Sequence, residues 1–182
     1  MAFFVPKDTP LIWRGPLLDK GIKQFLRDVE WGELDYLIVD MPPGTGDAQL
    51  TMANSTSLSG GVIVTTPQDV ALLDGMRGLT MFQKMEVPIL GFVENMSYFQ
   101  PAGSSEQYEI FGRGGGRKLA EESEVPFLGE LPLDPAVRMG GDNGVPIVAA
   151  DPNSPVTLAF MEIAKKVAAQ VSIHNHAALA AV

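Results

Sequence analysis

The sequence predicts an α/β fold: a mainly parallel sheet with helices on both faces. Strand-length apolar runs occur at 36–39, 61–65, 88–93 and 126–131, and they are nearly continuous rather than alternating. Strands that are covered on both faces have this pattern. Between the runs, apolar residues recur every three or four positions, as on one face of a helix. Alternating strands and helices are typical of parallel sheets, whose ligands bind at the carboxyl ends of the strands.

Four helical patterns accompany these strands. The first two are carried by Leu18, Ile22, Phe25 and Val29, and by Leu72, Met76, Leu79 and Phe82. A glycine run opens the third at 114–122, and the fourth begins at Ser154-Pro155, with proline at its first position. No domain boundary is evident within the chain. We expect one domain over residues 1–172 and a disordered tail over residues 173–182.

Composition restricts the classes of function. The chain has 182 residues, of which 46% are hydrophobic and 19% charged, and its formal net charge is −9. This charge argues against a general nucleic-acid or anionic-membrane surface, because phosphate contacts need clustered Lys and Arg. No apolar run approaches the roughly 20 residues that span a bilayer, and the first residues do not resemble a signal peptide. We therefore expect a cytoplasmic protein without a nucleic-acid or membrane partner.

The chain contains no cysteine. Iron–sulfur clusters are held chiefly by cysteine thiolates, and structural zinc sites also depend on them. Disulfides, and any cysteine-ligated zinc or iron–sulfur site made by this chain alone, are thereby excluded.

The octet DMPPGTGD, Asp40 to Asp47, follows the first predicted strand and has the residue types of a phosphate- and metal-binding loop. An aspartate at a strand end can hold Mg²⁺ directly or through its water. Gly44 would let a backbone N–H approach a phosphate closely. A plain Pro-Gly turn with Asp40 as a cap accounts for the same residues, so the octet alone leaves both interpretations open.

Polar residues also follow the third and fourth predicted strands. The amide of Asn95 could pair with a base edge, since it both donates and accepts, or could simply close the turn. Pro132 and Pro135 flank Asp134, which predicts a rigid wall followed by a helix cap. The glycine run 114–116 is either an anion-binding nest or a flexible helix entry, and the absence of a G-x-x-x-x-G-K-[ST] spacing favours the helix entry.

Five longer blocks resemble the Mrp/ApbC family of P-loop ATPases. The blocks are LDYLIVDMPPGTGDAQLT, GVIVTTPQDVALLDGMRG, VPILGFVENMSYF, IFGRGGGRKLAEE and VPFLGELPLDPAVRMGGDNGVPIV. The resemblance extends from about Phe3 to Ala169. It implies a MinD/ParA-like P-loop NTPase fold and a role in iron–sulfur cluster carriage and assembly. ATP and Mg²⁺ would be the cofactors, with an iron–sulfur cluster as cargo. A homodimer and iron–sulfur client or scaffold proteins would be the partners.

The resemblance also implies roles for individual residues. Asp40 corresponds to the catalytic acid that orders Mg²⁺ and its water, and Gly44 to the glycine whose backbone contacts the γ-phosphate. Asp47, in the same loop, is a secondary candidate for nucleotide binding. Asn95 would recognise adenine, and the stretch Pro132, Leu133 and Asp134 would line the base pocket.

Two features depart from the family pattern. The glycine-rich Walker A loop and its lysines are absent from the 182 residues, so we expect an N-terminally truncated chain that lacks the first strands of the fold. In family members that carry clusters, a C-x-x-C follows the NMS strand, whereas this chain reads YFQPAGSSEQYEIFG. We therefore expect the C-terminal part of an Mrp-type ATPase, without ATPase activity alone. A non-catalytic dimerisation or partner-binding module is the main alternative, and a MinD/ParA-type positional ATPase is a third.

The missing segment has a consequence for the sheet. In the family, the Walker A strand lies between the strand that ends at Asp40 and the strand 61–65. Its absence would leave these two strands either newly paired or separated by an open slot with unpaired backbone groups. We expect parallel strands in chain order.

Overall fold

The computed structural model describes residues 15–41 and 46–180. The chain divides into two compact units, residues 1–57 and residues 58–182. The boundary between them was not expected from the sequence, which shows no change of composition at this point.

The described residues of the first unit form two helices, α1 (Gly15–Arg27) and α2 (Asp47–Ser55). Asp19 joins them: its Oδ1 accepts a hydrogen bond from Thr51 Oγ1 at 3.1 Å, and its Oδ2 accepts one from Lys23 Nζ at 2.9 Å. Since Asp19 lies on α1 and Thr51 on α2, this carboxylate fixes the contact between the two helices.

The first predicted strand, 36–39, is wrong. The segment is irregular, and its four side chains are between 42% and 80% exposed. A strand persists only where a neighbour pairs with its backbone N–H and C=O groups, and the sheet of the described residues does not include this segment.

The second unit is built on a parallel sheet. Its strands are β1 (Gly61–Thr65), β2 (Ile89–Glu94) and β3 (Phe127–Glu130). They lie in the order β1-β2-β3, and both neighbouring pairs are parallel. The expected parallel order is thereby confirmed, and the three strands lie where the apolar runs predicted them.

The helices of the second unit connect and follow these strands. Their bounds are α3 (Asp69–Lys84), α4 (Gly115–Glu122), α5 (Pro135–Asn143), α6 (Ile147–Ala150) and α7 (Pro155–Ala180). α7 extends through residues 173–180, so most of the segment expected to be a disordered tail is helical. Within the described ranges, no helix is long and apolar enough to cross a membrane.

Successive residues of β2 face opposite sides of the sheet, as the pleat requires. Phe92, which is completely buried, packs with Leu79 of α3 and Leu119 of α4. Its neighbour Val93 packs in a second cluster that includes Ile163 of α7. Helices therefore cover both faces, as predicted.

Candidate functional site

The turn after β2 is fixed against both neighbouring strands by backbone hydrogen bonds. The N–H of Asn95 donates to the carbonyl of Thr65 at 2.7 Å, on the β1 side. On the β3 side, the N–H of Leu131 donates to the carbonyl of Glu94 at 2.8 Å, and the N–H of Ser97 donates to that of Leu131 at 3.0 Å. The carboxyl ends of the three strands thus meet around Asn95.

The side chain of Asn95 has a donor at this point that no other described residue engages. Its Oδ1 accepts a hydrogen bond from the N–H of Met96 at 3.0 Å, and within the described residues its Nδ2 has no partner. Met96 has a φ of 56°, in the left-handed region. An amide nitrogen has two N–H donors, and a carbonyl oxygen keeps a second lone pair, so Asn95 presents a donor and an acceptor side by side.

The stretch Pro132, Leu133 and Asp134 lies next to the Asn95 turn. The N–H of Leu133 donates to the carbonyl of Tyr98 at 2.7 Å. Asp134 caps α5, because its Oδ1 accepts a hydrogen bond from the N–H of Ala136 at 2.7 Å. The predicted helix cap is confirmed, and all three residues of the stretch are half-buried. Their contact with a base stays a prediction.

The glycine run at the start of α4 binds a carboxylate from the chain itself. Glu94 is completely buried. Its Oε1 accepts a hydrogen bond from the N–H of Gly114 at 2.8 Å, and its Oε2 accepts one from the N–H of Gly116 at 2.6 Å. The Ser97 hydroxyl also donates to Oε1, at 2.5 Å. The nest predicted as one of two interpretations exists, but an internal anion fills it, so these amides are not available to a phosphate.

Arg113 ties the loop before α4 to the end of β3. Its guanidinium pairs with Glu130, donates to Gln107 Oε1 at 2.7 Å and lies 4.6 Å from the centroid of the Tyr98 ring. The hydrogen bonds to Glu130 raise the pKa of Arg113, while partial burial opposes them. Sequence reasoning missed this residue because Glu130 lies 17 positions away.

The loop expected to correspond to the family's C-x-x-C forms a polar hairpin. Phe99 and Tyr108 exchange two backbone hydrogen bonds of 2.8 Å. The Tyr108 hydroxyl donates to Glu106 Oε2 at 2.7 Å, which raises the pKa of the tyrosine. The described part of the chain holds no group of three or more His, Asp or Glu side chains that could bind a metal ion.

The acids of the DMPPGTGD octet belong to the first unit. Asp40 is exposed and lies at a cavity of about 320 Å³, whose other lining residues are apolar and come from α1, α2 and the segment between them. Asp47 is the first residue of α2, and Gly46 is the N-cap. Gly44 lies outside the described residues. One exposed carboxylate is compatible with Mg²⁺, which usually keeps several waters and binds through one or two carboxylates and substrate phosphates.

Of the residues predicted to bind nucleotide, the structure brings one group together in the second unit. Asn95 adjoins Pro132 to Asp134 in the second unit, while Asp40 and Asp47 are in the first unit.

The chain matches a known protein family and several curated proteins over most of its length. The ParA family model, described as NUBPL iron-transfer P-loop NTPase, matches residues 1–168. The iron–sulfur cluster carrier protein of Synechocystis is 57% identical over 174 residues, which are 95% of this chain and 49% of that protein. The Arabidopsis thaliana mitochondrial iron–sulfur protein required for NADH dehydrogenase is 48% identical over 167 residues, covering 92% of this chain and 53% of that protein. The chain spans about half the length of the curated relatives it matches.

Solved structures show a similar backbone. A nucleotide-binding protein from Archaeoglobus fulgidus in complex with ADP has a TM-score of 0.66 and 36% identity, over 79% of this chain and 58% of that chain. The cell division ATPase MinD from Pyrococcus furiosus has a TM-score of 0.59 and 28% identity, over 85% of this chain and 58% of that chain.

Proposed function

Since this chain belongs to the ParA family of NUBPL-type iron-transfer P-loop NTPases, we propose that it provides the base-recognising half of the ATP site of an Mrp-type iron–sulfur cluster carrier. The observation that supports this role most directly is the Asn95 amide, whose Nδ2 donors are without a partner among the described residues. The α/β fold of the MinD/ParA type and the ADP in a structurally similar protein support it further.

The donor and acceptor of Asn95 fit adenine. Adenine presents an N7 acceptor next to an N6 amino donor, a pair that an asparagine amide can bind with two hydrogen bonds. Guanine presents two acceptors, O6 and N7, at the same edge. The Asn95 carbonyl would then face O6 with no proton between them, so the site should favour adenine.

The phosphate end of the site is only partly supplied by this chain. Asp40 would hold Mg²⁺ through water, and Gly44 would offer its backbone to the γ-phosphate. Bound Mg²⁺ would neutralise charge on the phosphates. The 182 residues contain no G-K-[ST] sequence, and the lysine and loop amides of such a sequence supply strong, charge-assisted contacts. We therefore assign weak ATP binding and no ATP turnover to this chain alone.

Cluster carriage by this chain is indirect in our proposal. Without cysteine, the loop that aligns with the family's C-x-x-C offers hydroxyl, amide and carboxylate groups, which are harder ligands than the thiolates that iron–sulfur clusters use. The chain would act in cluster assembly as a homodimer or through a client, scaffold or other partner that bears the cysteines.

The base preference can be tested by saturation-transfer NMR, which detects millimolar binding. Mg-ADP and Mg-GDP are each added to the intact chain, to Asn95→Ala and to Asn143→Ala. Asn143 is an exposed asparagine at the end of α5 and serves as the matched control. We expect stronger saturation of the adenine protons than of the guanine proton, a preference lost in Asn95→Ala and kept in Asn143→Ala. Equal saturation in the unmodified chain would overturn the proposal.

A second candidate is a non-catalytic partner-binding module. The observation that favours it is the exposed apolar segment 36–39, in which Ile38 is 80% exposed. Under this alternative, Ile38→Asp would abolish association measured by light scattering, and the unmodified chain would show no preference for ADP over GDP. Under the leading proposal the ADP preference is present and Ile38→Asp leaves it unchanged.

A further inference from the structure

We infer that Glu94 is a positioning residue for adenine recognition, because its buried carboxylate holds the turn that presents Asn95. This inference rests on the proposed function of Asn95. Glu94 itself has no route to a ligand, since its side chain is completely buried and both carboxylate oxygens are engaged by the chain.

The carboxylate joins two segments that the sequence keeps far apart. Gly114 and Gly116 stand 20 and 22 positions after Glu94, whereas Ser97 is only three positions away, in the turn. A buried carboxylate is costly unless it is hydrogen-bonded. Here it accepts three hydrogen bonds at the positive end of a helix, an arrangement that stabilises the anion. Loss of its charge would therefore loosen both the start of α4 and the turn.

The glycine run has a steric role in this contact. A Cβ on Gly116 would lie 3.2 Å from Cβ and from Oε2 of Glu94. A Cβ on Gly115 would lie 2.7 Å from Leu72 Cδ1 and 2.9 Å from the carbonyl oxygen of Pro67. Gly116 thus allows α4 to approach the end of β2 closely, and Gly115 allows it to approach α3 and the loop before it. A flexible helix entry would not require either close approach.

The turn that Glu94 holds contains a residue in an unfavourable conformation. Met96 lies between Asn95 and Ser97 with a φ of 56°, a left-handed conformation that is unfavourable for a non-glycine residue. The Ser97 hydroxyl, bound to the Glu94 carboxylate at 2.5 Å, restrains the far side of this residue. Without that bond, the turn is restrained by the backbone hydrogen bonds of Asn95 to Thr65 and of Ser97 to Leu131. The Asn95 amide is then held less firmly in its direction.

Glu94→Gln tests the inference, because glutamine has the same shape and one oxygen fewer. Two quantities are measured on the intact chain: hydrogen exchange of the Gly114 and Gly116 amides, and the preference for Mg-ADP over Mg-GDP in saturation-transfer NMR. We expect exchange to accelerate roughly tenfold, as for the loss of about one hydrogen bond, and the ADP preference to fall severalfold. The control Glu122→Gln, in an exposed acid of the same helix, should change neither.

Two results would overturn different claims. If the unmodified chain prefers ADP and Glu94→Gln keeps that preference while the glycine amides exchange faster, Glu94 is only structural and the positioning role is wrong. If the unmodified chain has no preference, the proposed function of Asn95 is wrong, whatever the amides show.

A second variant covers the case in which Glu94→Gln does not fold. Ser97→Ala keeps the carboxylate and both glycine contacts. It removes the Ser97 hydroxyl, which donates to Glu94 Oε1 at 2.5 Å and also contacts the Glu94 carbonyl oxygen at 3.4 Å. A reduced ADP preference with unchanged exchange at Gly116 would support the inference. An unchanged ADP preference would overturn it.

Discussion

The backbone N–H of Gly116 donates a hydrogen bond of 2.6 Å to Oε2 of Glu94. This bond fixes the first turn of α4 to the last residue of β2 and places an internal carboxylate where a phosphate would bind at many helix N-termini. The same carboxylate also holds the turn that contains Asn95. In our proposal, the buried Glu94 carboxylate therefore supports both the start of α4 and the turn that would recognise a base.

Two helical glycines, Gly115 and Gly78, should differ sharply in their tolerance of alanine. Gly115→Ala places a Cβ 2.9 Å from the carbonyl oxygen of Pro67 and should lower the free energy of unfolding by about 1–3 kcal/mol, as overpacking does. Gly78→Ala, in α3, meets no atom within 4 Å and should raise it by up to about 1 kcal/mol. Urea denaturation followed by circular dichroism measures both. Equal effects of the two substitutions would contradict the close approach of α4 to α3 and to the loop that contains Pro67.

Phe92 should contribute more to the stability of the second unit than exposed apolar residues do. Its side chain is completely buried between the sheet, α3 and α4, so Phe92→Ala leaves a cavity and should cost about 3–5 kcal/mol. Leu73→Ala removes a side chain that is 55% exposed and should change the unfolding free energy by no more than about 0.5 kcal/mol. A small loss for Phe92→Ala in urea denaturation would show that this core is placed wrongly.

The sequence predicted what depends on local pattern. The strands β1 to β3 follow continuous apolar runs, and the helix at Pro155 follows from proline at its first position and an apolar stripe. The segment 36–39 has the same apolar signal but forms no strand, because a run of apolar residues does not specify which backbone will pair with it. Hydrophobicity predicts the tendency to be buried, and pairing depends on a neighbour.

The candidate site was predictable only in part, because some of its contacts join residues that are far apart in the sequence. Asn95 and Asp134 could be chosen as candidates because Asn95 directly follows β2 and Asp134 lies between two prolines just after β3. Glu94 was missed since its partners Gly114 and Gly116 lie 20 or more positions away, and an acid at the end of a strand does not show whether it will face solvent or a helix N-terminus. Arg113 was missed because its contact with Glu130 is likewise set by the tertiary fold.

Asp19 should make the stability of the first unit depend on pH. The hydrogen bond from Lys23, assisted by that from Thr51 and opposed by partial burial, lowers the pKa of Asp19 below its ordinary value of 3.8. A lowered folded-state pKa means that the stabilisation is present above the ordinary value and is lost as the pH falls through the folded-state value. Asp19→Asn should therefore be less stable than the unmodified chain at pH 7, and the difference should disappear in acid.

The measurement for Asp19 is thermal unfolding of both forms at several pH values, with Thr51→Val as a variant that removes only one of the two hydrogen bonds. Thr51→Val should give a smaller loss at pH 7. A difference between Asp19→Asn and the unmodified chain that stays constant from pH 7 into acid would show that the carboxylate charge has no part in joining α1 and α2.

The chain should stay colourless after anaerobic reconstitution with iron and sulfide. It has no cysteine, and oxygen ligands are poorly suited to holding an iron–sulfur cluster at neutral pH. Visible absorption after desalting is the measurement, and an apo-ferredoxin treated in parallel shows that the procedure works. A protein-bound visible band on this chain would mean that the polar hairpin around Phe99 and Tyr108 is a cluster site after all.

The central claim is that this chain contains a base-recognition site but only part of a phosphate-binding site. Calorimetric titration with adenosine, ADP and Mg-ATP tests this claim most directly. Asn95 contacts only the base in our account, whereas phosphates usually gain most from the lysine and loop amides that the 182 residues lack. We predict that the three ligands bind weakly and with affinities within roughly tenfold of one another, that is, within about 1.4 kcal/mol. Low-micromolar binding of Mg-ATP, far tighter than that of adenosine, would contradict the account.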